Sequence, residues 1–572
     1  MNDTGSSAME PRNLSAARSW LAQDPDPETR DELTALIASS DDPEAQAELE
    51  DRFGTRLAFG TAGLRGELGA GTNRMNRVLV AQAAAGLAAY LAENGSDDET
   101  PSVVVGYDGR RNSQRFALDS AEIFAGAGLH AILLPRMLPT PVLAFAVRYF
   151  NASAGVMVTA SHNPPNDNGY KVYLGGDDQG SQIVPPADGE IARHIDRVAT
   201  GGDITRIPRH LGYVRAGDDV VEAYIAATAA VAPAPESAAG MQWVYTAMHG
   251  VGWETTSRVV SAAGFPAPTV VSEQIDPDPA FPTVSFPNPE EPGAMDLAFE
   301  TARSSNAEFV LANDPDADRL AVAVPDGAAD GGWRRLSGNE VGLLLGWRAA
   351  RRAAESREEQ GTPTTTDVSL ACSLVSSPGL EVIADHYGLD FFATLTGFKW
   401  ISRAPGMAFG FEEALGYLVN PETVRDKDGI SAAIAMLGLA ADARGRGTTI
   451  SGLLAEFEQT FGYFASDQIS IRVEDLSVID TIMTLLRKDQ PDRFGTVKVK
   501  RVDDLLTGID DLPPGNVLRF WLKGGSRIIV RPSGTEPKLK LYLDVRGSSA
   551  ADAAERLAAL TAGAREVLDS LS

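Results

Sequence analysis

The sequence predicts an α/β chain: three similar mixed α/β units followed by a different, α+β unit. Three observations lead there. From about residue 55, short apolar runs alternate with stretches of helical periodicity, the pattern of βαβ units. In each of the first three units an apolar run ends in a distinctive polar loop, where α/β sheets expect their ligands. The last hundred residues break the alternation, with two strands followed by one long helix. A chain of 572 residues is long enough to bury a large core and to divide into several domains.

The elements follow in order. Residues 1–50 are polar and acidic, with helical stretches near Ala16–Leu21 and Thr29–Ser39, and read as an N-terminal helical extension. The first unit, 51–205, holds strand Val103–Val105, helix Ser113–Ala127, strand Ala131–Leu134 and the buried strand Gly155–Val158. The second, 206–328, holds strand Trp243–Thr246, helix Gly252–Ala263 and strand Phe309–Ala312, which runs into an acidic loop. The third, 329–455, holds helix Asn339–Arg351, strand Val368–Cys372, helix Pro378–His386 and strand Met407–Phe411. The fourth, 456–572, holds strands Arg527–Val530 and Leu539–Val545 and helix Ala550–Leu568. Linkers are expected near Gly201-Gly202, Gly327–Gly332 and Arg444–Gly447.

Composition narrows the function. A net charge of -28 argues against a general nucleic-acid surface, while leaving room for a basic pocket that takes a small anion. No window of about 18 apolar residues exists, so no membrane span is expected. The opening residues lack the basic and apolar regions of a signal peptide, and the single cysteine, Cys372, makes no internal disulfide. A cytoplasmic enzyme fits. The nine lysines are unevenly spread, and Lys171, Lys399, Lys427 and Lys538 all lie in or beside the motifs below.

Thr159-Ala160-Ser161-His162-Asn163-Pro164-Pro165 follows the Gly155–Val158 strand and places a serine on a loop pinned by two prolines. Asp314-Pro315-Asp316-Ala317-Asp318-Arg319 sets three carboxylates at alternate positions, which a curved loop brings onto one cation; such hard oxygens suit Mg²⁺. An EF-hand is ruled out, because its glycine and final acidic positions fall on Arg319 and Pro325. Arg531-Pro532-Ser533-Gly534-Thr535 joins cationic and hydroxyl side chains to glycine-exposed amides; by itself it reads first as a polar turn between hairpin strands, and otherwise as an anion cradle. Phe59-Gly60-Thr61-Ala62-Gly63-Leu64-Arg65-Gly66 is glycine-rich without being a dinucleotide or P-loop fingerprint.

These strings resemble the loops of the α-D-phosphohexomutase superfamily over roughly residues 50–550. The resemblance implies four domains around a central cleft. It implies that Ser161 carries a phosphoryl group and that Lys171 is a general acid/base. Arg65 and Arg319 then stabilise phosphate, and His162 orients the serine. Mg²⁺ sits on Ser161, Asp314, Asp316 and Asp318. Arg531, Ser533 and Thr535 grip the phosphate that is not transferred, while Lys399 and Glu412 read the sugar. Pro315 and Ala317 stand where the family usually has glycines, and Ala414 where many members have serine. The last feature, with Asp426-Lys427-Asp428-Gly429, is similar to the phosphopentomutase and glucose-1,6-bisphosphate synthase branch. The expected activity is conversion of glucose 1-phosphate to glucose 6-phosphate through a bisphosphorylated sugar, with glucose 1,6-bisphosphate as activator. Mannose or pentose phosphates are the alternatives. The expected partner is a small phosphosugar, with no nucleic acid and no membrane, and the chain is expected as a monomer or weak homo-oligomer. Two rivals remain: an aspartyl-phosphate phosphatase with Asp314 as nucleophile, and a silent sugar-phosphate sensor.

Overall fold

The computed structural model describes residues 12–95, 99–360, 368–473, 476–509, 512–533 and 538–570. The chain forms two compact units. One takes in Met1–Pro233, Gly240–Ala321 and Glu422–Ile434; the other takes in Ala234–Ala239, Val322–Pro421 and Ala435–Ser572.

The first unit opens with helices α1 (Arg12–Gln23), α2 (Pro27–Ala38) and α3 (Pro43–Phe53). Asp26 and Asp42 cap α2 and α3, each ahead of a proline at the first helical position, where its missing N–H costs nothing. These helices belong to the domain core. Ala17, Trp20, Leu33, Ile37, Leu49 and Phe53 join the same apolar cluster as Val103, Val105 and Val156 of the sheet.

That sheet is built from β1 (Leu64–Glu67), β2 (Ser102–Tyr107), β3 (His130–Leu133), β4 (Ala154–Val158), β5 (Asp167–Leu174), β6 (Ser181–Gln182) and β7 (Val214–Arg215). Its order is β1-β5-β4-β2-β3-β7, with β6 on β5. Strands β4, β2, β3 and β7 are parallel, while β5 runs antiparallel to β4 and to β1. Helices α4 (Arg77–Asn94), α5 (Ser113–Gly126), α6 (Thr140–Tyr149) and α7 (Ala187–Thr200) complete the layers. Helix α4 is alanine-rich and buried nearly all round. At Gly86 a Cβ would lie 2.5 Å from the Ile195 side chain, so glycine is what lets α4 and α7 meet.

Next come α8 (Asp219–Ala229), β8 (Trp243–Thr246), α9 (Gly252–Ala263), β9 (Thr269–Val270), α10 (Asp296–Ser305) and β10 (Phe309–Asn313). Strands β9, β8 and β10 are parallel neighbours, so β8 and β10 point their carboxyl ends the same way. The chain crosses to the second unit within β11 (Leu320–Pro325), whose end pairs with β12 (Trp333–Arg335).

In the second unit β13 (Ser369–Ser373), β14 (Asp390–Thr394) and β15 (Met407–Glu412) are parallel, and β16 (Gly416–Leu418) returns antiparallel on β15. Helices α11 (Gly338–Gln360), α12 (Gly379–Tyr387) and α13 (Phe398–Ile401) accompany them, followed by α14 (Gly429–Gly445) and α15 (Ile450–Phe461). The final sheet is antiparallel, of order β17-β22-β21-β20-β19-β18. Its strands are β17 (Tyr463–Arg472), β18 (Arg493–Phe494), β19 (Val497–Asp504), β20 (Leu518–Leu522), β21 (Arg527–Pro532) and β22 (Lys538–Gly547). Helices α16 (Leu476–Lys488) and α17 (Ala550–Asp569) cover one face through Ile479, Met483, Leu560 and Ala564. The α/β expectation and the contrasting last unit are both met.

Candidate active site

In the first unit the serine loop leaves β4 at Val158 and is held by its own backbone. Ser161 sits at φ 52, in the left-handed region that costs a residue with a Cβ. Its N–H donates to Thr159 Oγ1 at 2.8 Å. Arg110, from the loop after β2, clamps the turn by donating to the carbonyls of Ser161 and Asn163 at 2.6 Å each, Pro164 at 2.8 Å and Asp167 at 3.1 Å. Arg65, on β1, donates to Asn163 Oδ1 at 3.2 Å.

The aspartate loop leaves β10 and curls through Ala317, at φ 54. One carboxylate oxygen from each of Asp314, Asp316 and Asp318 lies within 4.8 Å of the others, and all three side chains are buried. Ser161 Oγ donates to Asp314 Oδ2 at 2.8 Å. Lys171, projecting from β5, donates to Asp316 Oδ2 at 2.7 Å and to Asp318 Oδ2 at 2.9 Å. Lys427 lies 2.9 Å from Asp318 Oδ2, and Thr140 Oγ1 donates to Asp316 Oδ2 at 2.6 Å.

The electrostatics are uneven. Burial, reinforced by Asp316 and Asp318, pushes Asp314 well above the usual carboxylate range. Burial also opposes charge on Asp316 and Asp318, but Lys171 and, for Asp318, Lys427 and Arg319 win and hold both low. Burial, with Arg319 and Arg65 nearby, pushes His162 well below its ordinary value. The imidazole is therefore neutral, with Nδ1 3.2 Å from Ser161 Oγ.

A hard cation fits this set. Asp316 Oδ1 and Asp318 Oδ1 are buried without a hydrogen-bond partner, a costly condition that a metal ion relieves. The donors are all oxygens, the hard ligands such a cation prefers.

A turn before α9 props the aspartate loop. Met248 and His249 are both left-handed, at φ 47 and φ 60. Val251 N–H donates to Pro315 O at 2.8 Å, and a Cβ on Gly250 would lie 2.3 Å from Pro315 Cα.

Eight of the expected residues therefore meet in the first unit: Arg65, Ser161, His162, Lys171, Asp314, Asp316, Asp318 and Arg319. Four more lie in the second. Lys399 is on α13 and Glu412 ends β15. Arg531 lies on β21 opposite Lys540, and Ser533 N–H donates to Lys538 O at 2.8 Å. Burial raises the pKa of Tyr542, Glu413 raises it further, and Arg531 hydrogen-bonds to its hydroxyl. Thr535 lies outside the described residues. Nothing in the sequence points to the contacts of Thr140 and Thr159, or to Arg110 being spent on loop carbonyls. Lys427 had a signal in its acidic flanks, Asp426 and Asp428.

Four family models match in register with the fold. They are the α/β/α domains I, II and III of phosphoglucomutase/phosphomannomutase, at residues 56–201, 222–327 and 337–461, and the C-terminal domain, at 488–562. The chain belongs to the α-D-phosphohexomutase superfamily. It is 55% identical to a Haemophilus influenzae protein named "Probable phosphomannomutase", over 86% of this chain and 98% of that one. It is 35% identical to the phosphopentomutase of Mus musculus, over 92% and 89% of the two chains. The glucose 1,6-bisphosphate synthase of Homo sapiens is 33% identical, over 94% and 91%. A solved phosphoglucomutase/phosphomannomutase family protein from Burkholderia thailandensis shares the fold, with a TM-score of 0.66 at 19% identity, over 90% of this chain and 98% of that one. The protein is thus a phosphohexomutase-type enzyme, an isomerase that works by phosphoryl transfer. Among the described residues no helix is long and apolar enough to cross a membrane.

Proposed function

We propose that the enzyme interconverts glucose 1-phosphate and glucose 6-phosphate, with Ser161 as the phosphoryl carrier. The observation that carries this reading is the 2.8 Å bond from Ser161 Oγ to Asp314, inside a loop fixed by Arg110 and beside Lys171. Phospho-Ser161 gives its phosphoryl group to the free hydroxyl of the sugar: the new P–O bond forms as the serine P–O bond breaks. The hydroxyl proton leaves to a base and later returns, and Lys171 Nζ is the group assigned to that exchange. The bisphosphorylated sugar turns end for end and returns its other phosphate to Ser161. Arg65 and Arg319 balance charge on the moving group, and neutral His162 orients the serine oxygen without adding charge. Asp314, Asp316 and Asp318 are assigned to Mg²⁺, which when bound neutralises phosphoryl charge beside the serine.

In the second unit Arg531 and Ser533, with Thr535, are assigned to the phosphate that stays put, and Lys399 and Glu412 to the sugar. The gluco assignment rests on the Phe411-Glu412-Glu413-Ala414 and Gly397-Phe398-Lys399-Trp400 loops. The Glu413 carboxylate accepts from Ser373 Oγ at 3.1 Å and Ser376 Oγ at 2.9 Å, and Glu412 is the member of the pair assigned to the sugar. A mannose phosphate reading is favoured instead by the 55% identical relative. The test is Ser161→Ala. Turnover on glucose 1-phosphate with catalytic bisphosphate should fall at least a thousandfold with folding unchanged, and peptide mass spectrometry should find phosphate on Ser161 of the active wild type. Full activity in a verified Ser161→Ala preparation would overturn the carrier assignment. If Asp314→Asn then abolished activity, the aspartyl-phosphate rival would replace it.

A further inference from the structure

The loops beyond β2 and β3 line a cavity in the first unit, of about 510 Å³. Arg110, Arg115, Arg136 and Arg215 line it, against one carboxylate, Asp108. In a chain carrying -28 this is a local concentration of arginines.

Arg136 is matched by Asp218 and by Glu254, at 3.1 Å from its Nε. The other three are matched less closely, Arg110 by Asp108 at 3.7 Å and Arg115 by a shared Asp119. Arg215 donates to the Pro135 carbonyl at 3.1 Å, which carries no charge. Arg115 reaches Asp119 at 3.3 Å, but that carboxylate already takes bonds of 2.6 Å and 2.9 Å from Arg77 and 2.8 Å from Arg209. Arg110 spends its guanidinium on carbonyls. Its Nε is buried without a hydrogen bond, as is Asp108 Oδ2, 3.7 Å away. The amino end of α5 opens at the same place. Asn112 stands at its cap position at φ 65 with no side-chain cap bond, and Asn112, Gln114 and Arg115 all line the cavity. A 14-residue helix end directs partial positive charge into a space already ringed by guanidinium groups.

We propose that this cavity binds a small tetrahedral dianion of the phosphate class, and that occupancy is felt at the serine loop through Arg110. A dianion seated there draws on the cation that holds the Ser161, Asn163, Pro164 and Asp167 carbonyls, so it loosens the loop and slows turnover. The binding arm stands apart from the mutase reading; the turnover arm rests on it.

Tungstate, a tetrahedral dianion with a strong anomalous signal, is the probe. Crystals soaked in it should show a peak among Arg115, Arg215 and the first turn of α5. The peak should vanish in Arg115→Ala/Arg215→Ala, which keeps its turnover in tungstate-free buffer. Inhibition of the wild type should include a component that substrate does not compete away, weakened at least threefold in the double variant. If that variant does not fold, Arg215→Gln alone replaces it. No peak in the cavity, or a peak that persists in the variant, overturns the site. Purely competitive inhibition, equal in both proteins, overturns the link to the serine loop.

Discussion

Gly250 and Pro315 meet where a side chain has no room. An added Cβ would press on Pro315 Cα and O at 2.3 Å, and those are backbone atoms between two of the carboxylates. Gly250→Ala should therefore displace Asp316 more than it disturbs the fold. Overpacking of this kind costs about 1–3 kcal/mol. We expect Mn²⁺ affinity, read by calorimetry, to weaken at least tenfold, with kcat falling in step and partly recovering at high metal. An unchanged metal affinity would show that the turn does not position the aspartates. The neighbouring residues show what a sequence exposes and what it hides. Ser161 and the three aspartates stand in short strings whose chemistry is local, so they were legible. Thr140 lies 176 positions from Asp316. Nothing in a lone threonine beside a proline announces such a partner, because the contact exists only once two sheets have packed.

Among the elements, α14 begins under strain that pH should reveal. Asp428 Oδ1 accepts from the N–H groups of Ile430 and Ser431 at 3.0 Å, and Tyr224 Oη donates to the same carboxylate at 3.0 Å. Those donors favour the anion, yet burial outweighs them and lifts the pKa from 3.8 to about 6. The native state then holds a proton that the unfolded chain gives up, so stability falls as pH rises from about 4 to 6. The whole shift is worth about 3 kcal/mol. Asp428→Asn keeps an acceptor and loses the charge. Its first thermal transition should vary less over that window and lie above the wild type's at pH 7.5. A lower transition there would refute the assignment. Elements with strong apolar runs, such as β8 and β10, were visible in the sequence. Strand β5, which seats Lys171, was not. Asp167-Asn168-Gly169 begins it with residues that usually mark turns, and its burial comes from neighbours on both sides. Strand β17 also escaped notice, because Ser466, Asp467 and Gln468 interrupt its apolar residues.

For the whole molecule, the consequential split is between binding and chemistry. Arg531 is assigned to a phosphate that does not move, so Arg531→Ala should raise KM for phosphosugars and leave kcat within a few-fold. A charge-assisted bond of about 1.5–3 kcal/mol predicts a loss of roughly 10- to 150-fold in kcat/KM. A loss confined to kcat would move Arg531 to the transfer step. Comparing kcat/KM for glucose, mannose and ribose 1-phosphates should put glucose first, and a tenfold preference for either of the others would reverse that while leaving the serine chemistry in place. The three α/β parts were legible because each repeats one strand-to-loop rhythm, and the last part because it breaks that rhythm. The return of Glu422–Ile434 to the first unit was not, since its flanks belong to the second. That return has a consequence for anyone who would cut the gene. A fragment stopping at Ala321 keeps the serine and all three aspartates but lacks Lys427, the Asp426 partner of Tyr173 and the Asp428 partner of Tyr224. It would carry every residue of the nominal motif and still be an unfinished piece, so truncation libraries and split-protein designs should place their joints elsewhere.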